Sequence, residues 1–156
     1  MPVRVQSEDF DVGRELASLR GGDRAIGAVA AFIGTVRDVN AEAAVSSMTL
    51  EHYPGMTERA LVAIIEDAKS RWDIGDALVI HRVGALKPAD QIVLVGVTSA
   101  HRAEAFAACE FIIDYLKTRA PFWKKEDTPG GARWVEPRDS DDTAAARWQL
   151  RDEPVA

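Results

Sequence analysis

Lys117 and Lys124 are the two side chains of this sequence best placed by spacing for acid–base work. They stand 124 − 117 = 7 residues apart and flank the aromatic pair Phe122-Trp123. On an unbroken helix that spacing puts both on one face, two turns of about 3.6 residues apart. Pro121 argues against an unbroken helix, because proline disfavours the helical conformation of the residue before it. The chain is therefore expected to turn after Arg119, leaving Lys117 on the last helical turn and Lys124 on the next segment, where both can face one pocket. Two readings stand at this point. Lysines near a helix C-terminus are ordinary dipole partners in water. With aromatic residues between them, burial beside another cation would instead lower a lysine pKa from about 10.4 toward neutrality.

Three further residues have the chemistry of anion binding. Ser99-Ala100-His101-Arg102 joins a β-rich run to the expected start of a helix, where free backbone N–H groups and the helix dipole attract anions. Capping or solvation of that helix start is an equal reading of His101 and Arg102. Arg37 raises the same question where it leaves an apolar run. The single cysteine, Cys109, falls on an apolar helical stripe and reads as a small buried hydrophobe rather than a nucleophile. His52, His81 and His101 show neither i, i+4 pairing nor a neighbouring cysteine, so a zinc site is not expected.

The elements that must position these residues can be read from periodicity and turn chemistry. Ser7 is a candidate cap for a first helix carrying Phe10, Leu16 and Leu19, stopped by Gly21-Gly22. Residues 25 to 36 form a nearly continuous apolar run and suggest a buried strand, with Gly27 and Gly34 marking close backbone contacts. Residues 38 to 46 read as a mobile loop, followed by a strand from Met48 to Tyr53 that Pro54-Gly55 ends. Thr57 is the expected cap of a second helix whose inward stripe is Leu61, Ile64, Ile65, Ala68 and Trp72, ended by Asp73 and Gly75. Two β runs, 77 to 83 and 91 to 99, flank a turn at Lys87-Pro88-Ala89-Asp90. A third helix is expected from His101 to Arg119, with Ala105, Ala108, Cys109, Ile112 and Leu116 at helical spacing. Phe122 and Trp123 pack its exit, Thr128 to Gly131 turn, 133 to 136 form a short strand, and an acidic tail poor in aliphatics begins at Asp139. This order of elements predicts an α+β, or mixed α/β, fold without a dinucleotide or phosphate-loop signature.

Composition sets outer bounds. The 156 residues carry 19 basic and 25 acidic side chains, a formal charge of −6, with 47% hydrophobic residues. That describes a globular chain rather than a disordered one, and gives no basic footprint for duplex nucleic acid. One cysteine cannot form an internal disulfide, the N-terminus lacks the apolar core of a signal peptide, and no uncharged run of about 18 apolar residues is present. A cytoplasmic protein with no membrane partner is the expectation.

Several stretches together resemble the large, catalytic subunit of molybdopterin synthase. They are Phe32-Ile33-Gly34-Thr35-Val36-Arg37, Leu50-Glu51-His52-Tyr53-Pro54-Gly55-Met56, His81-Arg82-Val83-Gly84, Ala100-His101-Arg102, and the run from Asp114 to Glu126 that holds both lysines. The likeness spans residues 3 to 150 in family order, implying one catalytic-subunit domain over 1–150 and a flexible tail over 151–156. It implies an α/β hammerhead fold with an additional antiparallel β subdomain. The activity it implies is conversion of cyclic pyranopterin monophosphate (precursor Z) to molybdopterin. Two sulfurs would arrive as the C-terminal Gly-Gly thiocarboxylate of a small ubiquitin-like subunit, so neither a catalytic cysteine, a metal nor another cofactor is called for. By the same likeness Lys117 and Lys124 are the catalytic lysines and also touch substrate. Arg37, His101 and Arg102 hold the substrate phosphate, and Thr35, Val36, Lys125 and Glu126 line the pocket. The expected assembly is a homodimer with one small subunit at each end, a heterotetramer in which a site can borrow His101 and Arg102 from the neighbouring copy. Two other classes remain to be weighed against it. One is a non-catalytic anion-binding module, and the other is a transferase using Cys109.

Overall fold

The computed structural model describes residues 2–40, 43–44, 47–128, 131–135 and 139–149. Its centre is a four-stranded sheet in the order β1-β6-β8-β2, formed by β1 (Val3–Gln6), β6 (Ala77–Arg82), β8 (Gln91–Ser99) and β2 (Ala28–Thr35). β1 runs parallel to β6, and the other two pairings are antiparallel. Side-chain alternation explains why β6 and β8 are apolar throughout. Val79, Val93, Val95 and Val97 point into one core, while Leu78, Ile80 and Leu94 point into another on the opposite face. The first core is closed by α2 (Met56–Arg71) and α3 (Arg102–Arg119), the second by α1 (Val12–Arg20) through Leu16 and Leu19.

A second sheet, in the order β10-β9-β5-β7, is wholly antiparallel. It contains β5 (Ser47–His52), β7 (Gly84–Leu86), β9 (Phe122–Thr128) and β10 (Gly131–Val135). Val36, Met48, Leu50 and Leu86 form the small core that joins it to the first sheet. The mixed α+β organisation with an antiparallel subdomain is the fold the resemblance implies.

Several local expectations are corrected. Asp11, not Ser7, caps α1, its carboxylate accepting from the Arg14 N–H at 3.0 Å. The stop is as expected, with Gly21 in the left-handed conformation at φ 58°. Residues 39–40 (β3) and 43–44 (β4) are not loop but a short antiparallel ladder, with residues 41–42 and 45–46 outside the described residues. β2 is apolar yet not buried along its length. It is one of the two edge strands of its sheet, and Phe32 and Ile33 are 37% and 39% exposed. Gly27 is packed as predicted, since a Cβ there would lie 2.2 Å from the Ala100 carbonyl oxygen. The segment after Trp123 continues as strand to Thr128, and the acidic tail contains a helix, α4 (Asp139–Gln149). Its Ala145 and Trp148 are buried, and the Trp148 Nε1–H donates to Asp114 at 2.7 Å. The expected tail at 151–156 lies outside the described residues.

Candidate functional site

The site is built around the turn between α3 and β9. α3 buries Ala105, Ala108, Cys109, Ile112 and Leu116 as the periodicity requires, and it ends at Arg119, just before Pro121. Lys117 is exposed on the last turn. Thr57, expected as the cap of α2, lies inside its first turn and is fully buried. The N-cap is Gly55 at φ 84°, whose N–H donates to the Glu58 carboxylate. The Thr57 hydroxyl instead bridges two backbones, accepting from the Tyr53 N–H and donating to the Pro121 carbonyl, both at 3.2 Å. α2 thus holds the α3–β9 turn directly.

One residue later, the Phe122 ring stacks on the buried His81 ring, with centroids 3.8 Å apart and planes 18° apart. His52, the register partner of Phe122 on β5, lies 6.5 Å from the same ring. Strand alternation then places Lys124 on the Phe122 face, about 7 Å further along, and turns Trp123 to the other face, where it meets Tyr53 edge-on at 4.6 Å. Lys124 is half-buried and paired across the sheet with Leu50 and Val135. Lys125 is exposed beside it, and the side chain of Glu126 lies outside the described residues.

Burial dominates the chemistry of His81. It pushes the imidazole pKa down to about 3, with the nearby Lys117 and His52 adding to the cost of a positive charge and a hydrogen bond to the Arg82 carbonyl opposing it. That bond, from Nδ1 at 2.8 Å, also fixes the tautomer, because a carbonyl oxygen only accepts. His81 is therefore a neutral imidazole at the lysine end of the molecule.

Arg37 belongs to the same end. β2 carries a register shift between Gly34 and Thr35, after which Val36 is held to the β7–β8 turn by bonds to Asp90 and Ala89 of 2.9 and 2.8 Å. Val36 packs with Leu50, the cross-strand neighbour of Lys124. Thr35 and Arg37 are exposed beside it, and Arg37 lines a cleft with Asp38, Pro88 and Ala89.

His101 and Arg102 are not brought to this place. β8 carries the chain from the Arg37 end at Gln91 to Ser99, about 27 Å away, and α3 returns it. Arg102 opens α3, fifteen residues and about 22 Å of helix before Lys117. His101 is the extended N-cap residue without a side-chain cap bond, and both side chains are exposed. One copy of the chain therefore places Lys117 and Lys124 on either side of the α3–β9 turn and brings Thr35, Val36 and Arg37 to the same end through the Val36–Leu50 packing, while Lys125 turns to the opposite face of β9 and His101 and Arg102 lie at the far end of α3.

Cys109 is buried, its thiol is pushed up to about 11 by that burial and by Glu110, and its Sγ lies 3.9 Å from the Val95 carbonyl. It cannot serve as a ready nucleophile. Among the described residues no group of three or more His, Cys, Asp or Glu side chains is arranged to hold a metal ion, and no helix is long and apolar enough to cross a membrane. Sequence reasoning placed Thr57 as a cap and Phe122 at the exit of α3 but missed that Thr57, His81 and Phe122 together clamp the α3–β9 turn. Only the aromatic and proline between the lysines hinted at them.

A family model described as MoaE protein matches residues 5–119. The chain belongs to the MoaE family. A molybdopterin synthase catalytic subunit from Ralstonia nicotianae is 66% identical over 148 residues, covering 95% of this chain and 84% of the relative. A solved MoaE structure from Burkholderia ambifaria is 55% identical, covers 94% of this chain and 97% of its own, and superposes with a TM-score of 0.81. A Helicobacter pylori structure, titled a complex of subunits 1 and 2 of molybdopterin-converting factor, shares the fold at 17% identity and a TM-score of 0.73, covering 88% of this chain and 92% of its own. As a MoaE protein, the chain is a catalytic subunit of molybdopterin synthase, acting in molybdenum-cofactor biosynthesis.

Proposed function

We propose that this subunit is a sulfurtransferase that converts cyclic pyranopterin monophosphate to molybdopterin. Each of two sulfurs is delivered as the C-terminal thiocarboxylate of a small ubiquitin-like subunit. The observation that carries the reading is the placement of Lys117 on the last turn of α3 and Lys124 on β9, on either side of the clamped α3–β9 turn, with Arg37 at the same end. Two ammonium groups and a guanidinium suit an anionic tail and a phosphate-bearing substrate. As sulfur adds to the pterin side chain, Lys117 and Lys124 transfer protons and stabilise developing negative charge, and water releases the tail as a carboxylate. By the family resemblance, Thr35, Val36, Lys125 and Glu126 are assigned to the lining of this pocket. The sulfur is imported, which agrees with an inaccessible Cys109 thiol.

His101 and Arg102 join the site from a second copy. The exposed Phe32 and Ile33 on edge strand β2 support a homodimer, since an apolar open edge favours burial against another chain. The small subunit completes a heterotetramer, consistent with the two-subunit complex of the Helicobacter pylori neighbour. A cytoplasmic enzyme is the reading that a single, buried, reduced cysteine supports.

The test is conversion of cyclic pyranopterin monophosphate by the purified chain mixed with thiocarboxylated small subunit. Wild type forms molybdopterin, and Lys117→Ala, checked for folding, loses at least about 100-fold in turnover. No product from wild type with a competent partner would move the reading to an anion-binding module.

A further inference from the structure

We propose that His81 is a positioning residue for the lysine pair: its buried ring, anchored through Nδ1–H to the Arg82 carbonyl, is the platform on which Phe122 stacks to fix the start of β9. The inference rests on the sulfur-transfer reading for its kinetic consequence, but its geometry stands alone.

β9 has two anchors at its entry, and they hold different atoms. The Thr57 hydroxyl fixes the Pro121 backbone from α2, and His81 fixes the next side chain from β6. The β5 and β10 ladders fix which face of β9 carries Lys124. The ring–ring stack at 3.8 Å holds that face against β6, and so sets where the entry of β9, with Lys124 one strand repeat beyond it, stands relative to α3. His81 itself cannot drift, being 3% exposed, bonded through Nδ1 at 2.8 Å, and held in the ladder between Val5 of β1 and Val93 of β8. The titratable groups facing it are Lys117 from α3 and His52 from β5, while its β1 and β8 register partners are apolar. An uncharged ring suits this place, because a cation there would repel the Lys117 ammonium.

Two substitutions separate stack from anchor. His81→Asn keeps a donor near the Nδ1 position and removes the ring, whereas His81→Phe keeps the ring and removes the donor. With thiocarboxylated small subunit, His81→Asn is expected to lower kcat at least about tenfold with KM changed by less than about twofold, and His81→Phe to recover kcat to within about threefold of wild type. Independently of turnover, acetylation rates of Lys117 and Lys124, read by mass spectrometry against Lys69 and Lys87, are expected to shift at least about threefold in His81→Asn and return in His81→Phe. Equal behaviour of the two variants, or unchanged lysine ratios with unchanged kcat, overturns the proposal. If His81→Asn does not fold, Phe122→Leu trims the stack from the other side and must shift the same ratios. A wild type without product defeats the functional reading, and the labelling ratios still decide the role of His81.

Discussion

The two ends of α3 differ in how much of the chain is spent on holding them. At the C-terminal end, α2 supplies the Thr57 hydroxyl, β6 the His81 ring and β5 the register partner His52, all directed at one turn. At the N-terminal end, the Ser99 hydroxyl donates to the Asp73 carbonyl and accepts weakly from the His101 N–H, and Gly27 donates its N–H to the Ser99 carbonyl, so these supports hold backbone while the His101 and Arg102 side chains stay exposed. The difference teaches that placement tolerance follows function. On the sulfur-transfer reading, the held lysine end suits groups that must be preorganised for acid–base work, and the exposed His101 and Arg102 suit a contribution to another copy.

The comparison breaks first at Lys117. Lys117→Ala should cost at least about 100-fold in turnover, whereas Arg102→Ala should cost less, about tenfold and mainly in KM, because it binds rather than moves protons. Mixing the two impaired variants sharpens the point. If His101 and Arg102 act across copies, a random mixture of Lys117→Ala and Arg102→Ala chains, assayed at substrate well below the raised KM, forms about a quarter of its sites with both residues wild-type, and forms none if each chain works alone.

A smaller effect tests the edge between the ends. Phe32→Asp places a charge on the exposed β2 surface and should shift the chain toward monomer in sedimentation or light scattering, with loss of activity in proportion. An unchanged mass would remove β2 from the interface.

The lysine end should also show itself in stability against pH. The folded His81 pKa of about 3 lies below the ordinary value of 6.5, so the fold favours the neutral ring. Its contribution is complete above about pH 6.5 and is lost as pH falls through the window toward 3, amounting to about 1–2 kcal/mol between pH 6.5 and 5. Denaturant melts across that range should show the slope in wild type and a flatter one in His81→Phe.

The smallest effect lies beside Arg37. Ala89 holds φ 74°, left-handed backbone that an alanine adopts at a cost. Ala89→Gly should leave thermal stability unchanged or raised by up to about 1 kcal/mol, the relief of strain being partly offset by glycine's extra unfolded-state freedom.

What could be read from sequence followed how local the cause was. α3, its end before Pro121 and the turn that puts Lys117 and Lys124 on successive elements are written in neighbouring residues, and so were legible. The separation of Arg102 from Lys117 was legible too, since helix rise alone sets it. β1 was not: four residues become a strand only because β6, more than 70 positions away, offers a ladder. α4 was hidden because two residues, Ala145 and Trp148, supply its buried contact beneath an acidic surface. The apolar run of β2 announced a strand but not its place at the sheet edge, which is decided by pairing rather than composition. His81 was read only as a histidine unsuited to a zinc site, and its contact with a ring 41 positions later has no local signature.

The burial of Cys109 has one more consequence. A thiocarboxylate is an acyl donor once activated, and a reachable thiol nearby would intercept it as a thioester or trap its sulfur by oxidation. With its only thiol inside α3 and held protonated, the subunit offers the incoming sulfur no competing acceptor of its own kind. Under the sulfur-transfer reading, this chain should keep its yield per delivered sulfur high across swings in cellular oxidant load, because selectivity is secured by exclusion rather than by speed.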